Sequence, residues 1–524
     1  MEWNYQQARE RIEELIRQRS NIVVENVDER LRILSEARQA PLAARQALIS
    51  IPRDQAIVVD GVHVYARLSN YDDYRLESGG ETEASHKRAL ASLHLLYAAM
   101  DRVVEDFGAQ RVDYHGARLH CVVVDPIGNE QERVLKALAL AEALQRLSRM
   151  AAREIAGLDF EPALKIGIDS GKCVAINDGK GCEQEPLFLG SAANYAAKLA
   201  DGDGEGVFLS NHVRAIVGLA PLAGLIQERS SPLGYAQFTN FRQRAYASGI
   251  ELASQLTGDE QQAGRLLEEW RGDLREHRAT TAGPSDFKFH MHAPPLASIK
   301  YDELMPSNSI RMPLVSIFAD LDGYTAYIDR SMQSGRIAEA VRSLHVLRGE
   351  FHNVLRRDFK SRKVRYIGDC IHGLLAFGTN TAVDLPLTVR ESVKCAAGLQ
   401  GSFEIVQSRL GGLDTLGLAT GIEVGDTPIS RIGIRGDRSV RVASSTATIQ
   451  SQCQQERIEG SGIALGPEAM SKLSISARNH FPGGMLTDPD YDDVSVMVAG
   501  AAMLAGAHST SAQVADEFQP HARG

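Results

Sequence analysis

Residues 316–325 read SIFADLDGYT and residues 363–369 read KVRYIGD. The first is an apolar run that stops at Asp320 and turns within Leu321, Asp322 and Gly323, the pattern of a buried strand entering a tight turn. The second ends on Gly368 and Asp369, as a strand does at a hairpin, and the returning strand follows as CIHGLLAF over residues 370–377. Between the two segments, residues 338–359 carry helical periodicity.

The same succession stands some 250 residues earlier. Laying VHVYARLSNY (62–71) on VSIFADLDGY (315–324) puts Arg67 on Asp320, and laying RVDYHGA (111–117) on KVRYIGD puts Ala117 on Asp369. A helix candidate over 85–107 lies between those two early segments, and KIGIDSG (165–171) matches ATGIEVG (419–425) at nearly the same offset. Three local matches at one spacing mark a duplicated domain, since solenoid repeats recur every ~20–50 residues. Each copy reads βαββαβ, the order of a ferredoxin-like core, so the expected class is α+β. The expected organisation is a helical segment over 1–50, one copy over 51–250, a helical and Pro/Gly-bearing linker over 251–309, a second copy over 310–500 and a polar tail over 501–524. In the helical segment Ile12, Leu15 and Ile16 share one face, and Leu31, Ile33 and Leu34 continue after a break.

The composition narrows the function. Lys and Arg total 57 against 67 Asp and Glu, a formal charge of -10, which disfavours a protein built to coat nucleic acid or an anionic membrane. No signal-peptide core and no run of about 20 apolar residues is present, and 494–507 is too short to span a bilayer. The six cysteines, Cys121, Cys173, Cys182, Cys370, Cys395 and Cys453, are too scattered for a disulfide framework, so the expected compartment is the cytoplasm. His115, His120 and His372 fall singly on hairpin strands, and His290 and His292 lie in the linker; neither set has zinc-ligand spacing.

Asp320 and Asp369, each at a strand end beside a glycine turn, suit hard divalent cations. The loop of Leu321, Gly323, Tyr324 and Thr325 offers backbone N–H groups to phosphate. Taken together, FADLDGYT and RYIGD resemble the motifs of the class III nucleotide cyclases, the family of adenylyl and guanylyl cyclases, and the resemblance spans most of both copies. It implies that Asp320 and Asp369 hold two Mg²⁺ or Mn²⁺ ions. It also assigns Asn194 and Lys198, in GSAANYAAKLA, to ribose orientation and stabilisation of the transferring phosphorus. Lys198 replaces an arginine there, which keeps the charge and loses the bidentate fork.

The copies are degenerate in complementary ways. Arg67 and Ala117 stand at the metal positions of the first copy, and in the second Val440 and Ser444 stand for the asparagine and arginine. The resemblance therefore implies an intramolecular pseudo-heterodimer with one competent site. A family phosphate-binding arginine is replaced by Ala419, with Arg431 or Lys363 as candidate substitutes. The base-reading positions correspond to Asp113 and Leu187. Tyr114 beside Asp113, and Tyr366 beside Arg365, resemble the pyrimidine cyclases of bacterial Pycsar anti-phage systems. That likeness implies UTP as substrate, then CTP, GTP and ATP in that order, and a separate effector protein responsive to the cyclic nucleotide. The rival readings are an inactive nucleotide-binding sensor and a diguanylate cyclase; no G-G-[DE]-E-F segment occurs in the chain.

Overall fold

The computed structural model describes residues 2–19, 21–27, 51–77, 79–155, 159–178, 185–222, 260–276, 283–433 and 439–499. Leu31, Ile33, Leu34, Cys182 and the polar tail lie outside the described residues. The chain opens with helix α1 (Tyr5–Gln18) and strand β1 (Val23–Asn26). The first copy follows as β2 (Gln55–Leu68), α2 (Tyr71–Arg75), α3 (Glu83–Asp106), β3 (Gln110–His115), β4 (Arg118–Val123), α4 (Glu130–Arg153), β5 (Leu164–Asp178), β6 (Glu185–Leu189), α5 (Ser191–Ala200) and β7 (Gly206–Leu209). Helix α6 (Glu260–Glu276) and β8 (Phe289–His290) lead to the second copy. That copy comprises β9 (Ser309–Asp322), α7 (Tyr324–Gln333), α8 (Ile337–Asn353), β10 (Arg362–Ile367), β11 (Cys370–Leu375), α9 (Leu385–Arg409), β12 (Gly417–Ile432), β13 (Val440–Ala443), α10 (Thr446–Gln455), β14 (Gly462–Leu465) and β15 (Met485–Thr487).

The sheet orders are β3-β4-β2-β5-β6 and β10-β11-β9-β12-β14-β15. In both, the four strands of the βαββαβ core pair antiparallel with their neighbours. The α+β expectation holds. Each sheet has an apolar face under two long helices. In the first copy Leu93, Leu96, Leu138 and Leu144 of α3 and α4 are fully buried against Val62, Val64, Ile166 and Ile168, each contributing about 1.5–3 kcal/mol. A capping box of Thr82 and Ser85 starts α3, and Asp384 caps α9.

The opposite face of each sheet receives one short helix, and glycine makes that approach possible. A Cβ at Gly167 would stand 2.1 Å from the Ala196 carbonyl oxygen of α5, and one at Gly421 1.9 Å from the Ser451 carbonyl oxygen of α10. These faces meet across the molecule. The Ser191 amide at the start of α5 donates to Asp329 Oδ1 of α7 (3.2 Å). At the start of α10 the Thr446 amide donates to Glu81 (2.8 Å) and the Thr446 hydroxyl accepts from Arg75 (3.2 Å).

Two helices outside the cores lie on the copy they do not precede. Helix α1 packs on α8 and α9 of the second copy: Trp3 Nε1 donates to Ser402 Oγ (2.8 Å), and Arg11 bonds to Glu350 and Asp358. Helix α6 packs on α3 and α4 of the first: Trp270 Nε1 donates to the Leu95 carbonyl (3.2 Å), and Arg102 bonds to Asp273. The sequences agree, since Gln6-Gln7-Ala8 matches Gln261-Gln262-Ala263 and Ile12 matches Leu267. The duplication therefore includes an arm in front of each copy, and the arms are exchanged.

The Arg11 contact gives the first test. Glu350 is wholly buried and Asp358 nearly so, so Arg11→Ala leaves two carboxylates without their cation. The expected loss is about 3 kcal/mol, read as a lower denaturation midpoint. Arg9→Ala, which removes a half-exposed pair with Glu13, is expected to stay within ~0.5 kcal/mol of the parent.

Candidate active site

Asp320 lies at the end of β9, opposite Ala419 of β12, and the neighbouring Ala319 pairs with Ile371 of β11. Asp369 occupies the two-residue turn between β10 and β11, so the hairpin carries it over the end of β9, next to Asp320. Gly368, at φ 62°, makes that turn, and Gly323, at φ 81°, swings the chain from β9 into α7. Both carboxylates reach a cavity yet are walled by protein. Burial pushes Asp320 up to about 6, with Asp322 and Glu456 adding to the rise. Burial and the Asp320 charge hold Asp369 well above the usual carboxylate range. Among the described residues, no Lys, Arg or His lies within ion-pair distance of either. Two desolvated carboxylates without a cation fit a divalent metal site.

The cavity, of about 970 Å³, is walled by both copies. Helix α5 supplies Asn194 and Lys198, one turn apart on the face toward the second copy. Asn194 Nδ2 donates to Thr325 Oγ1 at 2.6 Å, which ties α5 to the turn after Asp320. Lys198 is exposed at the wall. Leu321, Gly323 and Thr325 line the same space. Tyr324 buries its ring against Tyr327, so its backbone is what the loop offers.

The corresponding place in the first copy is filled by its own charges. Arg67 donates to Asp72 (3.2 Å) and lies 3.9 Å from Asp201, while Arg118 donates to Asp201 (2.6 Å). Ala117 adds no carboxylate. Among the described residues, this side has no uncompensated acidic pair for a cation.

Three expectations need correction. Tyr114 does not face the cavity: it is stacked on Tyr97 at 3.8 Å, and its hydroxyl donates to the Tyr97 carbonyl (2.9 Å) and Asp101 (3.0 Å). A β-bulge between Arg111 and Asp113 sets this parity, turning Asp113 outward and Tyr114 into the core. In the second copy Tyr366 does line the cavity, while its hydroxyl is donated to the Arg348 carbonyl (2.5 Å). Next, Val440 and Ser444 are not the counterparts of Asn194 and Lys198. Val440 begins β13 and Ser444 precedes α10, and matching α10 to α5 puts Ile449 and Cys453 at those positions. Finally, neither Arg431 nor Lys363 lines the cavity; Lys363 pairs with Glu185 at 2.7 Å. Arg348 does line it. Its Nη2 donates to the Gly368 carbonyl, and its Nη1 and Nε have no hydrogen-bond partner among the described residues. It sits mid-helix in no recognisable motif, so nothing in the sequence singled it out.

Asp113 and Leu187 both line the cavity. Asp113 also forms a two-oxygen ion pair with Arg365 across the copies (3.0 and 2.9 Å), and Arg365 further bonds to the Tyr114 and Arg441 carbonyls. His290 and His292 stay apart from this site; His292 hydrogen-bonds Ser298.

No family model matches the chain. Full-length relatives do: the uridylate cyclase of a Rhizobium species is 43% identical over 486 residues, covering 91% of this chain and 90% of the relative. The uridylate cyclase of Pseudomonas aeruginosa is 34% identical over 517 residues, covering 95% and 96%. The chain belongs to the uridylate cyclase family. Its fold is also that of a crystal structure of a class III adenylyl cyclase-like ATP-binding protein from Pseudomonas aeruginosa, with a TM-score of 0.82 at 30% identity over 95% of this chain and 100% of the other. The resemblance read from FADLDGYT and RYIGD thus holds, and the chain is a nucleotide cyclase.

The raised carboxylates carry a pH signature. A carboxyl whose folded value exceeds its unfolded value near 3.9 costs stability as pH rises from about 4 through the folded value, on the order of 1–3 kcal/mol for Asp320. In chelator, Asp320→Asn is therefore expected to melt above the parent at pH 7.5 and level with it at pH 4. Mn²⁺ is expected to raise the melting temperature of the parent alone. Equal melting curves at pH 7.5 would show that the carboxylate pair carries no such cost.

Proposed function

We propose that the chain converts UTP to 3′,5′-cyclic UMP and pyrophosphate at one site shared by its two copies, which act as an intramolecular pseudo-heterodimer. The observation that supports this reading is the division of residues around one cavity. The second copy brings Asp320 and Asp369, which have no cation partner among the described residues, and the first brings Asn194 and Lys198 to face them.

Asp320 and Asp369 would hold two Mg²⁺ or Mn²⁺ ions, which when bound neutralise the triphosphate and make the 3′-hydroxyl more acidic. The chain's own groups do the rest. Backbone N–H groups of Leu321, Gly323, Tyr324 and Thr325, at the N-terminus of α7, receive phosphate oxygens. Asn194 exchanges its bond to Thr325 for the ribose and sets the sugar for in-line attack on the α-phosphorus. Lys198 meets the charge that develops on the α-phosphoryl oxygens, as a single ammonium rather than a fork. Asp113 and Leu187 border the base. Arg67, paired with Asp72 and Asp201, leaves the first copy's own metal position to a fixed cation.

The uridylate cyclase relatives support UTP as the substrate. The Pycsar resemblance supports a signalling role in which cyclic UMP activates a separate effector during anti-phage defence. Among the described residues, no helix is long and apolar enough to cross a membrane.

The test is product analysis by mass spectrometry after incubation with each ribonucleoside triphosphate and Mn²⁺. Cyclic UMP and pyrophosphate in equal amounts are expected, with Asp320→Ala inactive and Asn194→Ala slowed about 10²-fold. Turnover of a different triphosphate in preference to UTP would refute the substrate assignment, and no cyclic product from any of them would refute the reaction.

A further inference from the structure

One row of side chains crosses each sheet on the face toward the cavity. In the first copy Tyr65, His120 and Asp113 are successive cross-strand partners on β2, β4 and β3. In the second copy the row reads Phe318, His372 and Arg365. The rows meet at the Asp113–Arg365 pair. Tyr65, His120, Asp113 and Leu187 all line the cavity, and α5 with Asn194 lies over the same face.

His120 is held from three sides. Tyr65 stacks on it (ring centroids 4.1 Å apart, 12° between planes), Phe188 meets it edge-on at 6.0 Å, and its Nε2 lies 3.2 Å from His63 Nδ1. The ring is only 7% exposed, and its Nδ1 has no hydrogen-bond partner among the described residues. Burial keeps both rings neutral: it takes His63 down to about 3, and it is the main cause of the low value of His120, to which His63 and Arg118 add. One proton therefore sits between the two rings. His63 Nε2 is buried without a hydrogen-bond partner among the described residues, and an unpaired buried N–H is the rarer defect. The proton on His63 thus belongs on Nδ1, where it is donated to His120 Nε2. That leaves His120 with its own proton on Nδ1, a fixed donor on the residue that pairs across the strands with Asp113 and shares its cavity wall.

Resting on the uridylate cyclase reading above, we propose that His120 and Asp113 together read the base, His120 Nδ1–H donating to O4 of uracil and the Asp113 carboxylate accepting from N3–H. Cytosine presents the inverse pattern at those two atoms, an amino donor and a bare nitrogen, so the pair selects UTP over CTP. Asp113 alone lacks this discrimination, because a carboxylate accepts equally from N3–H and from an amino group. Arg365 fixes the Asp113 carboxylate in place through contacts to both its oxygens, and Tyr65 and Phe188 fix the imidazole. Both are specificity residues; neither touches the reacting phosphorus.

The test compares kcat/KM for UTP, CTP and 4-thio-UTP in the full-length protein with Mn²⁺. Sulfur is the weaker acceptor at position 4, so 4-thio-UTP is expected to fall at least about tenfold below UTP with the unsubstituted chain. His120→Asn, whose amide can present either oxygen or nitrogen at the former Nδ1 position, is expected to raise the CTP:UTP ratio at least about tenfold. Asn194→Ala is expected to lower both substrates together and leave that ratio unchanged. If the unsubstituted chain cyclises 4-thio-UTP as well as UTP, or if folded His120→Asn keeps the parent ratio, the base-reading proposal is overturned while the cyclase reading stands. If the unsubstituted chain makes no cyclic UMP, both are overturned. The 4-thio-UTP comparison needs no substitution, so it decides the matter even if His120→Asn does not fold.

Discussion

The ion pair between Asp113 and Arg365 is the contact on which the composite site depends. The two residues hold equivalent places in the two copies, each the cross-strand partner of a histidine, His120 in one and His372 in the other. Around an approximate two-fold axis, equivalent positions meet. Identical acids there, or identical bases, would repel. Opposite charges favour the first copy against the second and penalise either copy against its own kind. The neighbouring pairs have the same polarity: Glu185 with Lys363 and Arg441, and Asp178 beside Arg348, always with the acid on the first copy. Buried pairs of this sort add little net stability against apolar replacements. What they fix is which face meets which, and hence that Asn194 and Lys198 arrive opposite Asp320 and Asp369.

The exchanged arms serve the same end by other means. Helix α1 is sequestered on the second copy and α6 on the first, each through a tryptophan N–H and an Arg–carboxylate contact. Chain connectivity then ties each body to the arm lying on the other. The Asp320 side can hold two carboxylates that have no cation partner among the described residues because these contacts, far from it, over-determine the arrangement. The degenerate side has no such tension, since Arg67, Asp72, Asp201 and Arg118 satisfy one another.

Much of this was legible in the sequence. FADLDGYT and YIGD gave both cavity carboxylates, and the repeat offsets gave the two copies, because buried strands and glycine turns leave strong local patterns. Side-chain parity was not legible. A single bulge before Asp113 decides whether Asp113 or Tyr114 faces the cavity, and no residue type announces it. The counterparts of Asn194 and Lys198 were misplaced because GDRSVRVASS imitates the motif locally, whereas the repeat offset that aligns α5 with α10 leads to Ile449 and Cys453. The exchange of arms was also hidden, since both helices carry similar amphipathic patterns and the contacts that distinguish them, Arg11 with Glu350 and Asp273 with Arg102, join residues far apart in the chain. His120 read as an isolated strand histidine; its environment comes from His63, Tyr65 and Phe188, distant in the chain.

The central claim is that two copies build one site. It is tested most directly by calorimetric titration of the full-length protein with α,β-methylene-UTP and Mn²⁺, giving the number of nucleotides bound per chain. The account expects one, with binding abolished by Asp320→Asn on the second copy and weakened at least about tenfold by Lys198→Met on the first. Two nucleotides per chain, or binding indifferent to Lys198→Met, would contradict it.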